Sequence, residues 1–312
     1  MKGYSEKWLC SVTEELGYEI TGNVDRVKDS DFCLVVRIPT NRGNLFYKEN
    51  GPATRHEAIL NKHLDRTSQG KTARIVALNE TDGWFLMEDL KGKSLRDVKD
   101  KQLWQRAIQE YAELQISQMK DVKSFLEIGV PDRRMPILRQ EIAQHLKDMC
   151  RTGLTEEETK EVMSLKPELL SMCDQMDSAI SASIEHGDLH TNNIRIVHDN
   201  IVFFDWGDAS VSHPFFSTRI FWHALDDLLM DESEWLGTVD EFRPFYLEPW
   251  TKFATMKELD NALRISDQLA CVQRALSWYL YLTPYRENKT ESFSRPAQWL
   301  RLLVEHRALV GK

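Results

Sequence analysis

The sequence predicts an α+β chain of two lobes, a small antiparallel β-rich lobe over residues 1–90 and a larger helical lobe over residues 91–312. Three observations predict it. Residues 33–38 and 44–48 are short β-branched and aromatic runs on either side of a turn that contains Pro39 and Gly43. Beyond residue 100, apolar side chains recur at steps of three and four over long stretches. A chain of 312 residues with 42% hydrophobic content is long enough for two lobes and a substantial core.

In chain order, residues 27–32 read as a polar, glycine-free turn. Strand 33–38, turn 39–43 and returning strand 44–48 follow, with Lys48 at the strand end. A helix is expected over 53–64, burying Ala58, Ile59 and Leu64 and carrying Glu57 on its first turns. Residues 83–92 read as the last strand of the lobe running into a linker that ends in glycine. Trp104, Ala107, Ile108, Tyr111, Leu114 and Gln115 then form one helical stripe. Leu138, Ile142, Leu146 and Met149 form another, over residues 137–150. Residues 151–153 break that helix, and Thr155 with Glu158 opens the next through a capping box. Pro214 leads into a helix containing Phe216, Ile220, Leu225 and Leu228. Ile265, Leu269, Val272, Leu276 and Tyr279 mark a buried C-terminal helix.

The chemistry concentrates in His186-Gly-Asp-Leu-His-Thr-Asn-Asn193, a short hairpin, and Asp205-Trp-Gly207. The runs 194–197 and 201–204 are strand-like, and the polar residues 198–200 turn between them. A hairpin returns the chain to its start, so Asn193 and Asp205, just outside its strands, should become neighbours roughly 5 Å apart. One carboxylate and one amide oxygen suit Mg²⁺, which takes few protein ligands and leaves positions for phosphate and water. Asp188 lies on the same loop, five residues before Asn193, where it could meet a hydroxyl attacking a metal-held phosphate. The alternation His186, Asp188, His190 could instead supply ligands of a metal hydrolase. That reading leaves Asn193 and Asp205 without a purpose. Both histidines are expected to brace the loop.

This order of residues resembles the aminoglycoside phosphotransferase and choline kinase superfamily, the small-molecule branch of the protein-kinase-like fold. Protein kinases carry His-Arg-Asp with an Asn five residues on, and then Asp-Phe-Gly. Here Gly187 and Trp206 stand at the Arg and Phe positions, as in the small-molecule branch. The resemblance implies a kinase with ATP or GTP as co-substrate and Mg²⁺ as cofactor. It makes Asp188 the catalytic base and Asn193 and Asp205 the metal ligands. It makes Lys48 the phosphate-holding lysine, kept extended by Glu57. Met87 would line the base pocket, the Glu88 carbonyl would accept from an adenine amine, and the Leu90 amide would donate to a ring nitrogen. The chain departs from the protein-kinase pattern in having no Gly-x-Gly-x-x-Gly, which leaves Ser30 as a phosphate donor on that side. It also lacks Ala-Pro-Glu, the end of the activation segment on which peptide substrates lie, so a small acceptor is implied. The alternative is a kinase-fold module that binds nucleotide without turnover, against which the intact Asp188, Asn193 and Asp205 argue.

The net charge of −9 excludes a nucleic-acid backbone as partner, since phosphate contacts need clustered Lys and Arg. Residues 225–248 carry eight carboxylates against Arg243 alone. With Asp208, the pair Asp226 and Asp227 is expected to draw a small hydroxylated, cationic acceptor, and Trp278, Tyr281 and Tyr285 to line its pocket. A neutral sugar, macrolide or amino-acid hydroxyl is the other acceptor class. The five cysteines show no Cys-x-x-Cys pair, the first residues have no apolar signal core, and no run reaches membrane-spanning length. A cytoplasmic protein is expected.

Overall fold

The computed structural model describes residues 5–176, 180–229 and 231–311, without the side chain of Glu232. Its contacts group into two compact units, residues 1–93 with 194–207, and residues 94–193 with 208–312.

The first unit is an antiparallel sheet with one helix on its apolar face and one beside it. Its elements are α1 (Glu6–Glu15), β1 (Asp25–Asp29), β2 (Cys33–Thr40), β3 (Gly43–Asn50), α2 (Glu57–Thr67), β4 (Ile75–Asn79) and β5 (Trp84–Glu88). The strand order is β1-β2-β3-β5-β4. Alternation sorts the faces. Leu34, Val36 and Ile38 of β2 join Leu45, Tyr47 and Leu86 in a core that Leu9 and Trp8 of α1 cover. The opposite face carries Val35, Lys48 and Phe85, which are cross-strand partners. The two strands around the first turn run two and three residues longer than their sequence pattern suggests. Lys48 therefore lies inside β3 rather than at its end. The helix starts later than expected, because Pro52–Thr54 first make a 3₁₀ turn, and Leu60 rather than Ile59 is buried. The sequence reading had no counterpart of α1, which Ser5 caps by accepting from the Trp8 N–H.

The second unit is mainly helical, with α3 (Lys101–Gln118), α4 (Val122–Glu127), α5 (Met135–Cys150), α6 (Glu156–Ser164), α7 (Lys166–Met176), α8 (Ser217–His223), α9 (Trp235–Leu247), α10 (Met256–Leu276), α11 (Lys289–Phe293) and α12 (Arg295–Leu309). The Thr155–Glu158 capping box opens α6, and a second one at Thr155's counterpart Thr255 opens α10. The helix expected after Pro214 is broken up: Pro214–Phe216 and Ala224–Asp227 are 3₁₀ turns on either side of the short α8. α10 is buried on nearly every side, including its polar Asp267, Gln273 and Arg274. A helix buried all round must satisfy such groups internally. No helix among the described residues is long and apolar enough to cross a membrane.

Candidate active site

In the first unit the cleft face of the sheet holds a chain of charge. Lys48 is almost wholly buried, and its Nζ donates to Glu57 Oε1 at 2.8 Å and to Asp205 Oδ1 at 2.5 Å. Asn61 Nδ2 supports Glu57 at 3.3 Å. Burial alone would lower the Lys48 pKa, but the Asp205 and Glu57 charges outweigh it and hold it above the ordinary value. Lys48 is thus a fixed cation. These groups close one end of a cleft of about 360 Å³, whose other walls include Val35, Ala73, Phe85, Met87 and Leu90.

Along that wall Met87 sits on β5 opposite Phe46. The Glu88 N–H is donated to the Arg74 carbonyl, and its side chain pairs with Arg74 at 3.2 Å, outside the cleft lining. The Leu90 N–H makes no hydrogen bond among the described residues. Ser30 is turned inward. Its hydroxyl donates to the Cys33 carbonyl and accepts from the Cys33 N–H, so the side chain holds its own turn.

The hairpin forms from Ile194–Val197 and Asn200–Phe203, with a tight turn at His198 and Asp199. Its register differs from expectation. Ile194 pairs with Phe203, so Phe204 rather than Asp205 directly follows the last paired residue. Asp205 takes a left-handed backbone, φ +64°, uncommon for a residue with a side chain.

In the second unit the loop 186–193 is braced from every side. Gly187 has φ +76°, and a Cβ there would lie 2.1 Å from the Asp208 carbonyl oxygen, so only glycine fits. Its N–H donates to the buried Glu185 at 2.7 Å, and Ser210 and Gln273 reach the other oxygen of that carboxylate at 3.0 and 3.5 Å. Burial raises the Glu185 pKa against these hydrogen bonds and the nearby arginines. Asp188 N–H donates to His186 Nδ1, and Asn192 N–H to His190 Nδ1, so both histidines do brace the loop. Asn193 Nδ2 donates to the Asp188 carbonyl at 3.0 Å, which orients the amide and leaves Oδ1 as its acceptor. The Asp188 carboxylate lies 3.4 Å from His190 Nε2 and 3.5 Å from Arg274 Nη2, with its side chain 35% exposed. Burial pushes its pKa up, but the His190 hydrogen bond and the Arg274 charge carry it below the ordinary carboxylate value. Asp188 is therefore an ionised carboxylate at neutral pH.

Two of the three carboxylates expected to receive an acceptor are engaged. Asp208 pairs with Arg274 at 2.7 Å. Asp227 accepts from the Thr191 hydroxyl at 2.7 Å and pairs with Arg96 at 3.2 Å, so it pins the loop. Asp226 is exposed. Farther along, Asp240 meets Arg243 and Arg264, and Glu241 meets Lys101. The side chain of Glu232 lies outside the described residues. Trp278 lies against the Arg274 and Arg295 guanidiniums, the Tyr281 hydroxyl donates to Glu141, and Tyr285 is exposed.

Lys48, Glu57, Met87, Leu90 and Asp205 thus meet in one cleft of the first unit. Asp188, Asn193 and Asp208 meet in the second. Sequence reasoning missed Glu185, Gln273 and Arg274; only the polar interruption of the α10 apolar stripe hinted at the last two. No group of three or more His, Cys, Asp and Glu placed to hold a metal occurs among the described residues, so the hydrolase ligand set does not assemble. In the first unit the Asp205 carboxylate is a hard oxygen donor of the kind Mg²⁺ takes, and in the second the oriented Asn193 amide oxygen is another.

Residues 26–237 match the model of the phosphotransferase enzyme family. No curated protein matches the chain. Among solved structures, a GDP complex of an aminoglycoside 2'-phosphotransferase aligns with a TM-score of 0.68 at 14% identity, covering 98% of this chain and 99% of that one. A Plasmodium vivax ethanolamine kinase aligns at 0.60 and 13% identity, over 90% of this chain and 83% of that one. A type I macrolide 2'-phosphotransferase aligns at 0.60 and 13% identity, over 95% and 98%. At such identities the structures establish the two-lobed kinase-like fold alone.

Proposed function

The chain belongs to the phosphotransferase enzyme family of small-molecule kinases, and from that premise we propose that it moves the γ-phosphoryl group of ATP or GTP to a hydroxyl of a small acceptor. The observation that carries this reading is Lys48, buried and held between Glu57 and Asp205 at the polar end of an apolar-walled cleft. A fixed ammonium there is suited to phosphate oxygens, and the apolar walls to a flat base. Met87 and the free Leu90 N–H would take the base edge. The Glu88 carbonyl keeps the acceptor role implied by resemblance, whereas the Ser30 hydroxyl is occupied by Cys33.

Phosphoryl transfer of this kind has a loose transition state, so positioning and charge stabilisation matter more than strong basicity. Asp205 and Asn193 would hold Mg²⁺, which when bound neutralises phosphate charge. Asp188 would accept a hydrogen bond from the acceptor hydroxyl, orient it, and take its proton as the bond forms. The first unit, in this reading, binds the nucleotide, and the second supplies catalysis and the acceptor site.

The acceptor we propose is small and hydroxylated, and a cationic one would rely mainly on Asp226 for its counter-charge. Asp208 and Asp227 already have Arg274 and Arg96 as counter-ions, which leaves Asp226 as the exposed carboxylate of the three. The five free thiols, four of them buried, are consistent with a cytoplasmic setting. An acceptor panel of aminoglycosides, macrolides, choline-like amines, sugars and amino-acid hydroxyls, read by Mg²⁺-dependent release of nucleoside diphosphate, tests the whole reading. Binding of a triphosphate with no release over that panel would reject it in favour of a binding module.

A further inference from the structure

Lys28 reaches the cleft face of the sheet because β1 carries one extra residue. Directly opposed residues in a sheet point to the same face. Lys28, Val35, Lys48 and Phe85 form one such row across β1, β2, β3 and β5, and all four line the cleft. The β1–β2 ladder pairs Asp25 with Arg37 and Arg26 with Val36, then passes over Val27 to pair Lys28 with Val35. A regular ladder would set Val27 against Val35 and Lys28 against Leu34. Leu34 is fully buried in the core beside Val36 and Ile38, so Lys28 would then face apolar packing. A bulge shifts the side chains beyond it by one position, which is how such irregularities re-aim a side chain beside a site.

The outcome is a carboxylate bracketed by two ammonium groups. Lys48 Nζ stands 2.5 Å from Asp205 Oδ1, and Lys28 Nζ stands 3.8 Å from Oδ2. The two lysines differ in freedom. Lys48 is fixed by Glu57, whereas the Lys28 side chain is 53% exposed and can follow a ligand. The neighbouring turn has little else to offer an anion. It has no glycine, the Ser30 N–H goes to the Cys33 carbonyl, and the Ser30 hydroxyl is spent on Cys33.

We propose that Lys28 is a second phosphate-holding lysine of the cleft, aimed by the Val27 bulge, and that its charge replaces the backbone donors a glycine-rich loop would provide. The inference rests on the nucleotide reading of this cleft. Its ligand group is the polyphosphate of a nucleoside triphosphate, and the contact is sequence-neutral with respect to the base.

Calorimetric titration of the full chain with Mg·ATP, Mg·GTP, adenosine and guanosine tests it, using wild type, Lys28→Met and Lys28→Arg. Lys28→Met should weaken the triphosphate that binds by roughly tenfold and leave its nucleoside unchanged, the scale of one charge-assisted hydrogen bond. Lys28→Arg should stay within about threefold of wild type, because it keeps the charge. Lys28 is half-exposed, so neither change should disturb folding, and unchanged melting temperatures would check this. A Lys28→Met affinity within about twofold of wild type, or equal weakening of the nucleoside, overturns the assignment while leaving the nucleotide reading in place. If wild type binds neither triphosphate, the nucleotide reading itself falls, and the Lys28 role with it.

Discussion

Asp188 is ionised, half-open to solvent and held by groups from well-separated parts of the chain. In the proposed reaction it orients and deprotonates a hydroxyl, so removing its charge should affect turnover and spare nucleotide binding. Asp188→Asn should lower kcat by about two orders of magnitude or more, with triphosphate affinity within error by calorimetry. Near-normal kcat would remove Asp188 from the mechanism. Gly187 is a second sensitive position, for a steric reason. Alanine there meets the Asp208 carbonyl at 2.1 Å and also takes a left-handed backbone, which by itself costs about 1–2 kcal/mol. Gly187→Ala should therefore lower the melting temperature and kcat together, whereas Gly129→Ala, where a Cβ meets nothing within 4 Å, should share only the backbone strain. At this scale the sequence was most readable where function is packed into consecutive residues. His186 to Asn193 gave the loop and its glycine. It could not give Arg274, which reaches Asp188 across 86 residues of sequence, because nothing in local spacing pairs one arginine with one aspartate.

The elements show what decides such pairings. α10 presents Gln273 to Glu185, Arg274 to Asp188 and Asp208, and Ser277, just past its end, to Arg133. It is a buried helix whose polar residues brace the loop 186–193 and its surroundings. An apolar stripe in the sequence marks such a helix as core but does not tell which polar neighbours share the buried side. Arg274→Lys should keep much of the ion pairing with Asp208 and lose part of the placement of Asp188. Arg274→Ala should leave both carboxylates without their partner. We expect kcat to fall modestly in the first and roughly 10–100-fold in the second, with nucleotide affinity unchanged in both. Equal kcat for all three proteins would show that α10 supports the fold only. In the sheet, strand existence was legible from β-branched runs, but strand ends and register were not. β3 continues two residues past Lys48, so a lysine expected at the strand end is buried inside the strand. The hairpin slips one residue, and the Val27 bulge in β1 interrupts alternation in a stretch that reads as a turn. Register depends on which partner strand is present, and a single segment does not encode that.

For the whole molecule, net charge and local ion pairing pull the proposed acceptor class in different directions. The formal charge of −9 and the acidic stretch 225–248 suggest a field that collects cations. Folding distributes that charge differently. Arg274 compensates Asp208, Arg96 compensates Asp227, and Lys101, Arg243 and Arg264 meet carboxylates farther along. Long-range steering is strongest from uncompensated charge; paired carboxylates contribute little to it, and salt screens the rest over about 8–10 Å at ordinary ionic strength. Acceptor KM should accordingly change by less than about twofold between roughly 0.05 and 0.5 M salt. Asp226→Asn should behave like wild type in both KM and kcat. Asp227→Asn is different in kind, because its partner is Thr191 on the loop rather than a ligand, so it should lower kcat more than it raises KM. A cationic acceptor whose KM climbs steeply with salt, and climbs again in Asp226→Asn, would restore the charged-acceptor reading and show that the exposed carboxylate outweighs all of the paired ones.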